Sequence, residues 1–86
     1  MTNNYITLDI KLSGQKIHAA IIESGYSVRD IQKMLSLACP NSIYRWINGY
    51  TLPSVENLYR LSLILNTTME NLIAFQQGSM IDKYKD

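Results

Sequence analysis

The sequence predicts an all-α domain: a compact bundle of five short helices, preceded by a short N-terminal strand or arm. Three observations carry this. Between residues 13 and 75, apolar side chains recur at three- and four-residue spacing, the period of helices with one buried face. Residues suited to cap a helix N-terminus (Ser13, Ser27, Ser54, Thr68) precede four of these runs, and Pro40 opens the remaining one. Only YITLDIKL, Tyr5 to Leu12, alternates strictly in the strand pattern.

The 86 residues suffice for one domain. A chain this short buries roughly 60% of the surface its unfolded form exposes, so its stability is modest. With 47% apolar and 17% charged residues it falls in the globular class. No apolar run is long enough to span a membrane, and MTNNYITLDIKLS lacks the basic and apolar regions of a secretion signal. The expected location is the cytoplasm. Cys39 is the single cysteine, so no internal disulfide forms, which fits a reducing compartment. It is either a small side chain fitted into a turn or a thiol open to oxidation.

Residues 1–12 read as the arm or strand. Ile6, Leu8, Ile10 and Leu12 point one way, and Tyr5, Thr7, Asp9 and Lys11 the other. A lone strand is not stable, so it needs either the C-terminal segment or another subunit; otherwise the segment is an ordered arm on the first helix. That helix spans Gly14 to Ser24, capped by Ser13 and ended by Gly25 in the left-handed conformation, with Ile17, Ala20 and Ile21 inward. The second follows Ser27, where Asp30 completes a capping-box pattern, and turns Val28, Ile31, Met34 and Leu35 inward. Ser36 to Cys39 form a turn. Pro40 suits the first position of the third helix, which Gly49 ends.

The fourth helix, capped by Ser54, has the stripe Val55, Leu58, Leu61 and Leu65, widened by Leu63 and Ile64. Thr68 caps a short fifth helix holding Leu72, Ile73 and Phe75. The helical domain is thus residues 13–75, and 76–86 (QQGSMIDKYKD) is a polar tail in which Met80, Ile81 and Tyr84 are able to dock.

The third helix has two unlike faces. Ile43, Trp46 and Ile47 make one side apolar; Asn41, Tyr44, Arg45 and Asn48 recur at i, i+3, i+4 and i+7 on the other. A merely solvated face usually carries Lys and Glu. Asn, Tyr and Arg instead present the donors and acceptors that read base edges in a DNA groove. Two short helices joined by a tight turn, the second so equipped, describe a helix-turn-helix.

In order and spacing the chain resembles the phage-repressor-like (lambda-repressor-like) helix-turn-helix family, also called the XRE family, over about Ser13 to Ile73. The matching features are Gly25, Ser27-x-x-Asp30-Ile31, Ile43-x-x-Trp46, Asn48-Gly49, Leu52-Pro53-Ser54 and Leu65-x-x-Thr68-x-x-x-Leu72. The resemblance implies a protein that binds operator DNA, commonly as a two-fold dimer and often as a repressor. It implies base reading by Asn41, Ser42, Tyr44 and Arg45, with Pro40 beside Asn41 at the start of the helix. Backbone contacts are implied at Ser27, Pro40, Asn48, Tyr50 and Thr51. Arg29 and Lys33, cations of the second helix, either approach phosphate as well or simply keep that face soluble. The chain departs from the family where many members pair an Arg with a Glu, holding Ile21 and Ile47 there. Val28 replaces the usual Gln, and Ser36 the common Gly in a turn one residue longer.

Net charge is only +1. Lys16, Arg29, Lys33, Arg45 and Arg60 nearly balance Glu23, Asp30, Glu56 and Glu70, so the positive groups must share a face and few phosphates are neutralised. The near-neutral charge, six tyrosines, Val28 and the strand-like arm favour the alternative, a protein-interaction module or antitoxin-like partner with weak or no DNA binding. Catalysis has no support: one Cys, one His, no Gly-rich phosphate loop and no metal-ligand spacing. No cofactor, metal or membrane is expected. The expected partners are double-stranded DNA, a second copy of the chain and, on the alternative, another protein.

Overall fold

Helix α1 (Ile10–Ser24) begins four residues earlier than its sequence spacing implies. In the computed structural model, which describes residues 4–79, strand β1 (Asn4–Leu8) stops before Asp9. The Asp9 carboxylate accepts the Leu12 N–H at 2.9 Å, and its carbonyl accepts the Ser13 N–H at 2.8 Å. Ile10 and Leu12 therefore belong to the helix, not the strand. The expected cap, Ser13, is fully buried instead. Its hydroxyl accepts the Ala74 N–H at 2.8 Å and donates to the Ala74 carbonyl at 3.2 Å.

That clamp gathers the chain ends. Strand β2 (Phe75–Ser79) pairs antiparallel with β1, Leu8 opposite Phe75 and Asn4 opposite Ser79. Asp9 N–H extends the pairing to the Ala74 carbonyl at 2.9 Å. Of the partners open to the first strand, the C-terminal segment is the one found. Phe75 consequently lies in a strand rather than the fifth helix, and 76–79 are ladder rather than polar tail. Met80, Ile81 and Tyr84 lie outside the described residues.

Helices α2 (Val28–Met34), α3 (Asn41–Ile47), α4 (Val55–Ile64) and α5 (Met69–Leu72) complete the order. Ser54 and Thr68 cap α4 and α5 by accepting the N–H groups of Asn57 and Asn71 at 3.1 and 3.2 Å. Gly25 ends α1 in the left-handed region. The core is Ile17, Ile21, Ile31, Leu35, Ile43, Trp46, Leu58, Leu61 and Leu72. Two residues expected inside are not: Met34 and Val55 are 41% and 77% exposed. They stand at the last position of α2 and the first of α4, at helix ends that the described residues leave open. Every buried side-chain nitrogen and oxygen among the described residues has a hydrogen-bond partner.

Candidate nucleic-acid interface

Helix α2 is fixed at its start by a complete capping box. The Ser27 hydroxyl accepts the Asp30 N–H at 3.0 Å, and the Asp30 carboxylate accepts the Ser27 N–H at 2.9 Å. That backbone bond, then the Ser27 hydroxyl, hold the Asp30 carboxyl below its ordinary range against a small opposing effect of burial, and Lys33 adds to the lowering. At the other end, Ser36 adopts φ +57°. The Ser36 N–H reaches the Lys33 carbonyl at 3.0 Å and the Leu37 N–H the Gln32 carbonyl at 3.0 Å, a Schellman closure. The Gln32 amide returns a bond to the Leu37 carbonyl at 3.3 Å, and the Arg60 guanidinium donates to the Met34 carbonyl at 3.3 Å. The turn from Ser36 to Cys39, with Ser in place of the common Gly, is therefore tied on both sides. Cys39 is exposed in it.

Pro40 sits one position before α3, as its N-cap rather than its first residue, and its carbonyl accepts the Tyr44 N–H at 3.2 Å. The phase of α3 follows from what it buries. Ile43 and Trp46 are inside and Ile47 is half-buried, so Asn41, Ser42, Tyr44, Arg45 and Asn48 all face out. Ile21 is buried and Ile47 packs on the same core, so both positions are apolar and neither leaves an unpaired charge.

The end of α3 brings in residues from elsewhere. Gly49 takes φ +79°, its N–H bonds to the Trp46 carbonyl at 3.1 Å, and the Tyr50 N–H bonds to the Arg45 carbonyl at 2.9 Å. The chain thus doubles back and sets Tyr50, 70% exposed, beside Arg45. Asn41, Tyr44, Arg45, Asn48 and Tyr50 together line one shallow depression of about 330 Å³. A Cβ on Gly49 would strike the Lys11 backbone, so the first turn of α1 abuts this loop and places exposed Lys11 next to it. Spacing alone does not find Lys11, because it reads as strand; Asp9, an acid able to cap, is the signal that would have placed it on a helix.

Gly14 performs the matching task from below. A Cβ there would overlap the Trp46 carbonyl oxygen and crowd that of Ile47, so α1 supports the end of α3 backbone to backbone.

The remaining site residues divide. Ser42 is exposed but does not line the depression, and Pro40 and Thr51 are half-buried beside it. Arg29 and Lys33 are exposed on α2. Ser27 is exposed too, yet its N–H is committed to Asp30, whose carboxylate puts a negative charge at the start of the helix. Val28 is half-buried against the core. Two other cations serve the scaffold: Arg60 as above, and Lys16, whose ammonium donates to the Ile73 carbonyl at 2.8 Å. No helix among the described residues is long and apolar enough to cross a membrane.

A family model described as helix-turn-helix matches residues 17–72, well over half of the chain. No curated protein and no solved structure matches it significantly.

Proposed function

The chain belongs to the XRE-type helix-turn-helix family of DNA-binding regulators, and from that premise we propose a cytoplasmic, two-fold dimeric repressor that reads operator half-sites with α3 in the major groove. The observation that supports this most is the outward polar row Asn41, Tyr44, Arg45, Asn48, gathered with Tyr50 around one depression. Arg45 is the main reader: a guanidinium on this face bonds guanine O6 and N7 together, worth roughly 1–3 kcal/mol of discrimination. Asn41 suits adenine, Tyr44 a thymine methyl, and Ser42 either base type. Arg29, Lys33 and Lys11 supply the phosphate attraction, with Pro40, Asn48, Tyr50 and Thr51 positioning the backbone at the helix ends. Ser27 keeps only its hydroxyl proton for a phosphate. With so few cations the affinity falls less steeply with salt than for a strongly basic protein. A two-fold dimer sets its half-sites about 34 Å apart.

Selection from a random duplex library, with Arg45→Ala in parallel, tests the reading. The expected result is an inverted repeat enriched by wild type and not by the variant. Equal enrichment by both removes the base-reading role from Arg45. No enrichment at low salt by folded wild-type protein favours the protein-interaction module instead.

A further inference from the structure

Among the described residues, none covers the apolar face of the terminal ribbon. Opposed residues of an antiparallel pair project to the same side, so the pairs Leu8–Phe75 and Ile6–Gln77 place Ile6, Leu8 and Phe75 on one face. They are 69%, 43% and 60% exposed. Between this face and the helical body runs a groove of about 580 Å³ with Ala74 in its lining and two charged groups, Lys16 and Glu70. A two-stranded ribbon is marginal in water on its own; a covered apolar face is what such a ribbon needs.

We propose that this groove and ribbon face form the contact through which a second copy of the chain docks about a two-fold axis. A two-fold contact uses one patch twice, so the patch must complement itself. This one does. Its apolar part can interdigitate with its own copy, with Phe75 of each subunit entering the groove of the other. Its charged part holds both signs, so a copy turned by the dyad sets Lys16 against Glu70 twice. A patch built for a foreign acidic or basic partner would carry one sign. Lys16 is pre-positioned for this, since its bond to Ile73 leaves two of the three ammonium protons free. Among the described residues, no third strand pairs with the two outer edges of the ribbon, whose backbone groups are able to add hydrogen bonds.

The size of the patch fixes the character of the dimer. Three part-exposed side chains offer on the order of 300 Å² of apolar surface per subunit, against ~800 Å² per partner in a standard stable interface. The dimer is therefore weak and concentration-dependent in solution, and a duplex carrying two half-sites completes it. The inference deepens the dimeric reading above and rests on it for that last step.

Sedimentation equilibrium of the full chain over a concentration series tests the contact, with Phe75→Glu and Tyr59→Glu alongside. Tyr59 is a control on a separate exposed apolar stripe, Val55, Tyr59 and Leu63 of α4. Helical circular dichroism and affinity for a single half-site are measured on each protein. Wild type and Tyr59→Glu are expected to pass from monomer to dimer, while Phe75→Glu raises the dissociation constant about tenfold or more with dichroism and half-site affinity unchanged. Wild type that stays monomeric at millimolar concentration, Phe75→Glu that dimerises like wild type, or a monomer produced by Tyr59→Glu instead would each overturn the proposal. If Phe75→Glu loses helical signal, Glu70→Lys replaces it, setting like charges across the dyad; unchanged dimerisation then overturns the proposal equally. Failure of the DNA reading is distinct, since it appears as no selected duplex whatever the mass.

Discussion

The unit from α2 to α3 and the terminal ribbon are built by opposite means. In the first, the capping and turn bonds join residues three to five apart, Ser27 with Asp30, Gln32 with Leu37 and Arg45 with Tyr50, and the bond from Arg60 to Met34 is the long exception. Ile31, Leu35, Ile43 and Trp46 carry it into the core, and Met34 alone of the apolar side chains expected inside stays out. In the ribbon, the clamp from Ser13 to Ala74 spans 61 residues, and Ile6, Leu8 and Phe75 stay outside. The outward polar face of α3 is thus specified largely locally and anchored within one chain. The ribbon depends on long-range closure and on whatever covers it. On the proposed function, the residues of that face are pre-positioned whether or not a partner is present, and the proposed association would stabilise chiefly the ribbon.

Breaking the first region should have the largest effect. Trp46→Ala, at 4% exposure, should cost about 3–5 kcal/mol as a core truncation. That is a large part of the roughly 5–15 kcal/mol holding a typical domain together. A thermal melt reads it, and an unchanged midpoint would mean that Trp46 does not anchor α3. Next comes the joint between the regions. Gly14→Ala forces a methyl group onto the Trp46 carbonyl, and overpacking of this kind costs about 1–3 kcal/mol. A melt matching wild type would show that α1 can back away from α3 without loss.

The smallest effects sharpen the contrast. Ser27→Ala removes one cap from α2 and should cost about 1 kcal/mol, with the ribbon untouched. The capping box also carries a pH signature. Asp30 is depressed in the fold, so its contribution is complete above the unfolded Asp value of about 3.9 and is lost as pH falls through the folded value. The melting gap between wild type and Asp30→Asn should therefore be constant near neutrality and close below about pH 4. A gap that persists at lower pH would mean that the charge of Asp30 contributes nothing.

The same contrast explains what could be read from the sequence. Ser27, Ser54 and Thr68 cap as expected because a cap acts within three residues. The inner and outer faces of α3 follow from helical periodicity alone. The ribbon was only half legible: alternation marks Tyr5 to Leu8 as strand but runs on through Ile10 and Leu12, where the Asp9 cap has already turned the chain into a helix. Ser13 looks like a cap locally and is recruited by Ala74 instead, a partner no local pattern reveals. Phe75 continues the apolar spacing of α5, yet the backbone is already extended at Ile73. In the candidate site, Tyr50 and Lys11 share this difficulty. Their positions depend on the left-handed turn at Gly49 and on how α1 crosses it.

The closure between Ser13 and Ala74 also sets an order in time. During synthesis the whole of α2 and α3 leaves the ribosome before Ala74 does, and Ser13 waits for its partner until then. A product cut short before Phe75 would carry α3 but no ribbon. On the dimeric reading such a fragment could occupy half an operator and could not hold a whole one. On that same reading, translation through β2 would be the condition for full occupancy, and fragments lacking it would be weak competitors for the same DNA.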